Sequence, residues 1–269
     1  MAFATVAGHR IEYELVGGEE PAVTAAPSRP VLVFLHEGLG SVAMWRDFPA
    51  RVVEATGCAA LVYSRRGYGR SEPVAPPRPV TYMHDEALVD LPELLDALGV
   101  HRPVLVGHSD GGSIALIHAA ASGRPVSGLV LMAPHVMVED LSVSSIAAAK
   151  VAYETTDLRA RLGRYHDDVD SAFWGWNGVW LDPAFRLWNI EAYLPRIRCP
   201  VLALQGVNDE YGTMAQVESI TRAVKDVEVV ALERCGHSPH RDRADATLEA
   251  IARFVARINS LSSPGRGSG

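Results

Sequence analysis

The sequence predicts an α/β fold: a mostly parallel sheet with helices on both faces. Three observations carry that reading. Short runs of β-branched and aliphatic residues recur along the chain, turn residues bound each run, and amphipathic stretches lie between them. Nearly all-apolar runs of this length suit strands buried on both faces of a parallel sheet. Their alternation with helical patterns is the signature of right-handed βαβ crossovers.

Taken in order, "TVAGHRIEYELVG" alternates around a glycine turn and predicts an N-terminal hairpin. "GGEEPAVTAAPSRP" follows as a Pro/Gly/Ala-rich connection. The predicted strands are "VLVFLH" (31–36), "CAALVYS" (58–64), "PVLVGH" (103–108), "SGLVLMA" (127–133), "PVLALQG" (200–206) and "VEVVALE" (227–233). Helical patterns include "HDEALVDLPELLDALG" (84–99) and "ADATLEAIARFVARI" (244–258). From 134 to 198 the rhythm breaks. No strand-like run occurs there, and "FWGWNGVWLDPAFRLW" brings together Trp174, Trp176, Trp180 and Trp188. This reads as a helical insertion between core segments 1–133 and 199–260, with residues 261–269 expected to be a disordered tail. The rings either fix the insertion to the sheet or line an apolar pocket.

Composition bounds the partners. The chain has 269 residues, is 48% hydrophobic and carries a net charge of −7. That balance argues against nucleic acid and anionic membranes, and no run approaches the roughly 18 apolar residues of a membrane span. The opening "MAFATVAGHR" lacks the charged-then-apolar order of a secretory signal. Cys58, Cys199 and Cys235 are far apart and odd in number, so they read as reduced thiols, and none forms a metal-binding pair. The expectation is a cytoplasmic protein with a small-molecule substrate and neither metal nor organic cofactor. A homodimer is left open.

The chemistry centres on "GHSDGG" (107–112), which directly follows a predicted strand and opens a helix. Gly-x-Ser-x-Gly in that context is a nucleophile elbow: a turn so tight that small residues must flank it, lifting Ser109 above the sheet at a helix N-terminus. A serine hydroxyl needs a base, and the base needs an orienting carboxylate. Asp209 follows one predicted strand and His237 the next, at the sheet end where α/β folds hold ligands. Glu210 is an alternative acid, although the Gly-x-x-Asp offset from Gly206 favours Asp209.

Taken together, these motifs resemble those of the α/β-hydrolase superfamily. "VLVFLHEGLGS" is similar to its oxyanion loop, "YSRRGYGRS" to its Asp-x-Arg-Gly-x-Gly-x-Ser segment, and "RCGHSPHRD" to the element around its catalytic histidine. The resemblance implies an eight-stranded, mostly parallel sheet with a helical lid at 134–198. It also implies serine-esterase chemistry with Ser109, Asp209 and His237 catalytic, and the backbone N–H groups of Asp110 and Gly38 as oxyanion donors. Two departures stand out: Glu37 replaces the usual glycine and Ser64 the usual aspartate.

The side chain of Asp110 is chemically free. It either caps the helix or pairs with Arg65 or Arg66, which a helix N-terminus favours, or it binds a substrate amine together with Glu37. Some relatives acting on amino-acid esters resemble this chain in carrying Ser-Asp-Gly-Gly. His135, Trp174, Trp176 and Trp180 complete the expected substrate contacts. His240 either reaches the site entrance or is simply a partly buried residue, while His36 is expected to brace the oxyanion loop and His108 to pack away from the site. The resulting function is hydrolysis of small to medium carboxylic esters, lactones or activated amides. Carbon–carbon hydrolysis of diketone-like compounds and a low-turnover ligand receptor are the alternatives.

Overall fold

The computed structural model describes residues 1–18 and 29–262, with no description of the Ser262 side chain. Most of the Pro/Gly/Ala-rich connection and of the tail expected at 261–269 therefore lies outside the described residues.

Eight strands form one sheet: β1 (Ala2–Val6), β2 (His9–Val16), β3 (Leu32–Leu35), β4 (Ala60–Tyr63), β5 (Val104–His108), β6 (Gly128–Met132), β7 (Val201–Gly206) and β8 (Val227–Leu232). Their order is β1-β2-β4-β3-β5-β6-β7-β8. The hairpin and the β2–β4 pair are antiparallel, and the remaining pairs are parallel. The hairpin turns at Ala7 and Gly8, both with positive φ (50° and 79°), the backbone that matches strand twist in a two-residue turn.

The all-apolar strands work because alternate residues enter two different cores. Leu32, Phe34, Val104, Val106 and Leu202 pack under α1 (Phe48–Thr56) and α9 (Ala244–Ser262). Val33, Leu35, Leu105 and Leu131 pack on the opposite side. There they meet the helix spanning 82–97, here α2, and α3 (Asp110–Ala121). In α9, Ile251, Phe254, Val255 and Ile258 share one buried stripe, as a 3.6-residue period requires. The edge strand β8 departs from the expected pattern: Val229 is exposed and Glu228 half-buried, because only one side of an edge is fully covered.

Within α2, Glu86–Asp90 widens into a π turn immediately before Leu91 and Pro92. Proline has no N–H to give the carbonyl four residues back and its ring crowds that carbonyl, so a wider turn relieves the clash.

Between β6 and β7 the chain forms α4 (Asp140–Thr155), α5 (Leu158–Leu162) and α6 (Val169–Trp180), followed by 3₁₀ turns at Pro183–Leu187 and Glu191–Arg196. Asp168 caps α6 by accepting the Ser171 N–H at 2.9 Å. The other helices used below are α7 (Ala215–Ala223) and α8 (Pro239–Asp242). No helix among the described residues is long and apolar enough to cross a membrane. The three cysteines are free thiols.

Candidate active site

Ser109 sits between the end of β5 and the start of α3 with φ 53° and ψ −119°, a conformation an L-residue adopts only when its surroundings impose it. Its N–H donates to the Met132 carbonyl at 2.9 Å, tying the turn to β6. The flanking glycines are steric necessities: a Cβ on Gly107 would strike the Gly111 carbonyl, and one on Gly111 the Leu35 carbonyl.

The loops after β7 and β8 bring the other two groups to this turn. His237 Nε2 lies 2.9 Å from Ser109 Oγ, and His237 Nδ1 lies 2.9 Å from both carboxylate oxygens of Asp209. Asp209 Oδ1 also accepts the Tyr211 N–H at 2.8 Å, and Oδ2 accepts from the Gln205 amide at 2.8 Å. Burial opposes charge on Asp209, yet the His237 contact and the Tyr211 N–H outweigh it and hold the carboxyl below its usual range. Glu210, the rival acid, instead accepts the His237 main-chain N–H at 3.1 Å.

A cavity of about 230 Å³ opens over Ser109, lined by Gly38, Asp110, His135, Trp176, Trp180 and Tyr211 among others. Among the described residues neither Gly38 N–H nor Asp110 N–H has an acceptor. Two unspent donors thus border the cavity that holds the serine hydroxyl. His36 braces this corner: its Nδ1 lies 2.6 Å from the Glu37 carbonyl and its Nε2 accepts the Arg65 N–H at 3.0 Å. Burial and the Arg65 charge push its pKa well below the ordinary value.

Asp110 is buried and engaged. Its Oδ2 accepts from Tyr82 at 2.6 Å, and Tyr82 in turn accepts from Trp180 Nε1 at 3.0 Å. Arg65, itself fully buried, lies 3.9 Å away. Arg66 pairs with Glu72 instead. Burial raises the Asp110 pKa, with Arg65 and the Tyr82 bond pulling the other way. Its Oδ1 has no hydrogen-bond partner. Glu37 also lines the cavity, with Oε2 3.4 Å from His108 Nδ1. Burial works against its charge, but the His108 contact outweighs it and keeps the carboxyl well below the usual range.

Three expectations change. Trp174 lies off the cavity, edge-on to Phe173 and Tyr153 (5.1 and 5.6 Å) and beneath Lys150. Trp176 and Trp180 are one turn apart on α6 and share its inner face, whereas a residue two positions away points elsewhere. His240 is not at the entrance: it packs into the opposite core against Trp45 and Phe48, where burial lowers its pKa to about 3. His108 is buried as expected, yet it reaches back to the site, its Nε2 donating to the His237 carbonyl at 2.7 Å. His135 does line the cavity, its ring 5.7 Å from that of His237, with its pKa lowered to about 3 by burial.

Tyr82 and Tyr211 were not singled out from the sequence, whereas Arg65 was offered there as a partner for Asp110. Tyr82 stands 28 positions from Asp110, and no local pattern links the two. Among the described residues, no cluster of three or more histidine, cysteine or acidic side chains is arranged to hold a metal.

A model of the alpha/beta hydrolase family matches residues 32–250, from β3 to α9. The chain belongs to that family. N-formylmaleamate deformylase of Pseudomonas putida is 26% identical over 269 residues, covering 92% of this alpha/beta hydrolase and 93% of the relative. The sn-1-specific diacylglycerol lipase ABHD11 of Mus musculus is 25% identical over 273 residues, covering 91% and 85%. Among solved structures, the enol-lactonase of Burkholderia xenovorans LB400 superposes with a TM-score of 0.72 at 20% identity, covering 95% of this chain and 100% of that one. The last likeness speaks to fold alone. The family and the names of the curated relatives support a hydrolase role.

Proposed function

We propose that this alpha/beta hydrolase is a serine hydrolase of small to medium carboxylic esters, lactones or activated amides. One observation carries the reading: an unbroken Ser109–His237–Asp209 relay with 2.9 Å spacings, beside two amide donors without acceptors. Ser109 Oγ attacks the substrate carbonyl while His237 Nε2 takes the hydroxyl proton. The N–H groups of Asp110 and Gly38 hold the developing oxyanion, where each donor contributes a few kcal/mol. Asp209 fixes the Nδ1–H tautomer and balances the imidazolium charge. His237 then returns the proton to the leaving group, and the acyl-serine forms. Water, deprotonated by the same nitrogen, attacks that ester, and collapse returns the proton to Ser109 with release of the acid. Segment 134–198 acts as the lid, with Trp176 and Trp180 giving the cavity its apolar wall.

Asp110 refines the substrate class. Arg65 already offsets its charge, while Oδ1 has no partner. We infer a preference for esters whose acyl part offers a hydrogen-bond donor, an amine among them, to that oxygen. Turnover of 4-nitrophenyl acetate and butyrate and fluorophosphonate labelling test the mechanism. Ser109→Ala is expected to lower kcat by about 10³-fold or more and to abolish labelling. Labelling that survives the substitution means another nucleophile, and labelling without turnover of any ester in a broad panel means a receptor. Asp110→Asn is expected to harm α-amino esters more than neutral ones of equal size, and equal losses refute the preference.

A further inference from the structure

Next to the catalytic cavity lies a second depression of about 360 Å³ between the Val42–Trp45 3₁₀ turn, α5 and α8. Arg46, Arg161, Arg164 and Arg241 line it, together with apolar side chains including Leu158 and Leu162. Among the described residues, no acidic side chain does. Among the described residues, Arg161 is the one of the four guanidiniums with an ion-pair partner, Asp157 at 3.2 Å. Among the described residues, Arg46, Arg164 and Arg241 pair with no carboxylate.

In a chain of net charge −7, this concentration of uncompensated positive charge is the reverse of the average surface. Like charges around one small groove repel each other until an anion enters, and arginine forks match carboxylate and phosphate oxygens. Arg241 lines both the groove and the cavity over Ser109, so its side chain borders the two. Its guanidinium donates to Ser238 Oγ, next to His237. Arg46 also holds a left-handed backbone (φ 54°) where a glycine would be the ordinary choice.

We propose that the groove is a subsite for an anionic group, carboxylate or phosphate, on the far end of the substrate. The reacting carbonyl lies at Ser109, an apolar stem passes Leu158 and Leu162, and the anion rests among Arg46, Arg164 and Arg241. This rests on the serine-hydrolase reading, so the test has one arm that needs no turnover.

In the first arm, kcat/KM is measured for 4-nitrophenyl monoesters of dicarboxylic acids from succinate to suberate. The same chains ended by a phosphate monoester and by a neutral methyl group are run beside them. The native enzyme should prefer one of the anionic series, through KM, and the preference should shrink with added salt. The better series identifies the anion. In the Arg46→Gln/Arg164→Gln variant the ratio of anionic to neutral kcat/KM should fall about tenfold. A ratio unchanged by the double substitution overturns the proposal.

In the second arm, suberate and an alkyl phosphate are titrated calorimetrically into Ser109→Ala. Binding weakened by the double substitution supports the subsite even if no ester is turned over, an outcome that sinks the hydrolase reading alone. Absence of binding by both probes overturns the subsite.

Discussion

Two buried carboxylates flank Ser109, and their surroundings differ. Asp209, in the loop after β7, accepts from an imidazole, a main-chain N–H and an amide. Asp110, at the start of α3, accepts from one phenol and has a guanidinium 3.9 Å away. Both are removed from water, yet the pKa of the first is lowered and that of the second raised. Burial penalises both charges, that of Asp110 the more, so its deeper burial and its fewer donors together set the opposite sign. On the proposed mechanism, the carboxylate that balances an imidazolium is surrounded by hydrogen bonds, and the one whose main-chain N–H serves the oxyanion is left with a spare oxygen.

The contrast is broken most severely by Asp209→Asn. With the tautomer of His237 no longer fixed, kcat on a neutral ester should fall by about 10³–10⁴-fold while the circular-dichroism spectrum stays native. A loss of only a few-fold would mean that Asp209 does not orient the base. Tyr82→Phe tests the other side: Asp110 Oδ2 and Trp180 Nε1 each lose a partner in the interior, an expected cost of about 1–3 kcal/mol in urea unfolding, with a much smaller kinetic effect than the first substitution. Unchanged stability would refute that assignment.

The smallest effect is the pH dependence of stability. A native pKa below the unfolded value gives Asp209 a contribution present above the unfolded pKa and lost as pH falls through the native one. For Asp110, with the native pKa raised, the contribution is full below the unfolded pKa and is lost as pH rises through the native one. Unfolding free energies between pH 3 and 7 should therefore shift in opposite directions for Asp209→Asn and Asp110→Asn, each relative to the native protein. Shifts of the same sign would show that the two surroundings do not differ as described.

Much of this was legible in the sequence. The six strands β3 to β8 begin and end within two residues of their apolar runs; for β3 to β7 the reason is that a strand covered on both faces must be apolar throughout. Ser109, Asp209 and His237 were legible because each immediately follows such a run, so the sheet converts sequence order into proximity. What stayed hidden depends on angle or on distant pairing. Trp174 and Trp176 look alike in composition, and only the rotation of α6 separates them. Tyr82 reads as one more amphipathic-helix residue until α2 docks beside α3. His240 sits three positions past His237, but the turn into α8 carries it through to the other core.

The missing side chain of Gly38 has one last consequence. The indole of Trp176 occupies the space a Cβ would take, in contact with the residue proposed as an oxyanion donor. Trp176 also lines the cavity over Ser109, so an acyl group bound there changes the surroundings of the ring. The intrinsic emission of this tryptophan is therefore a built-in optical gauge of occupancy, readable in stopped flow without a chromogenic leaving group.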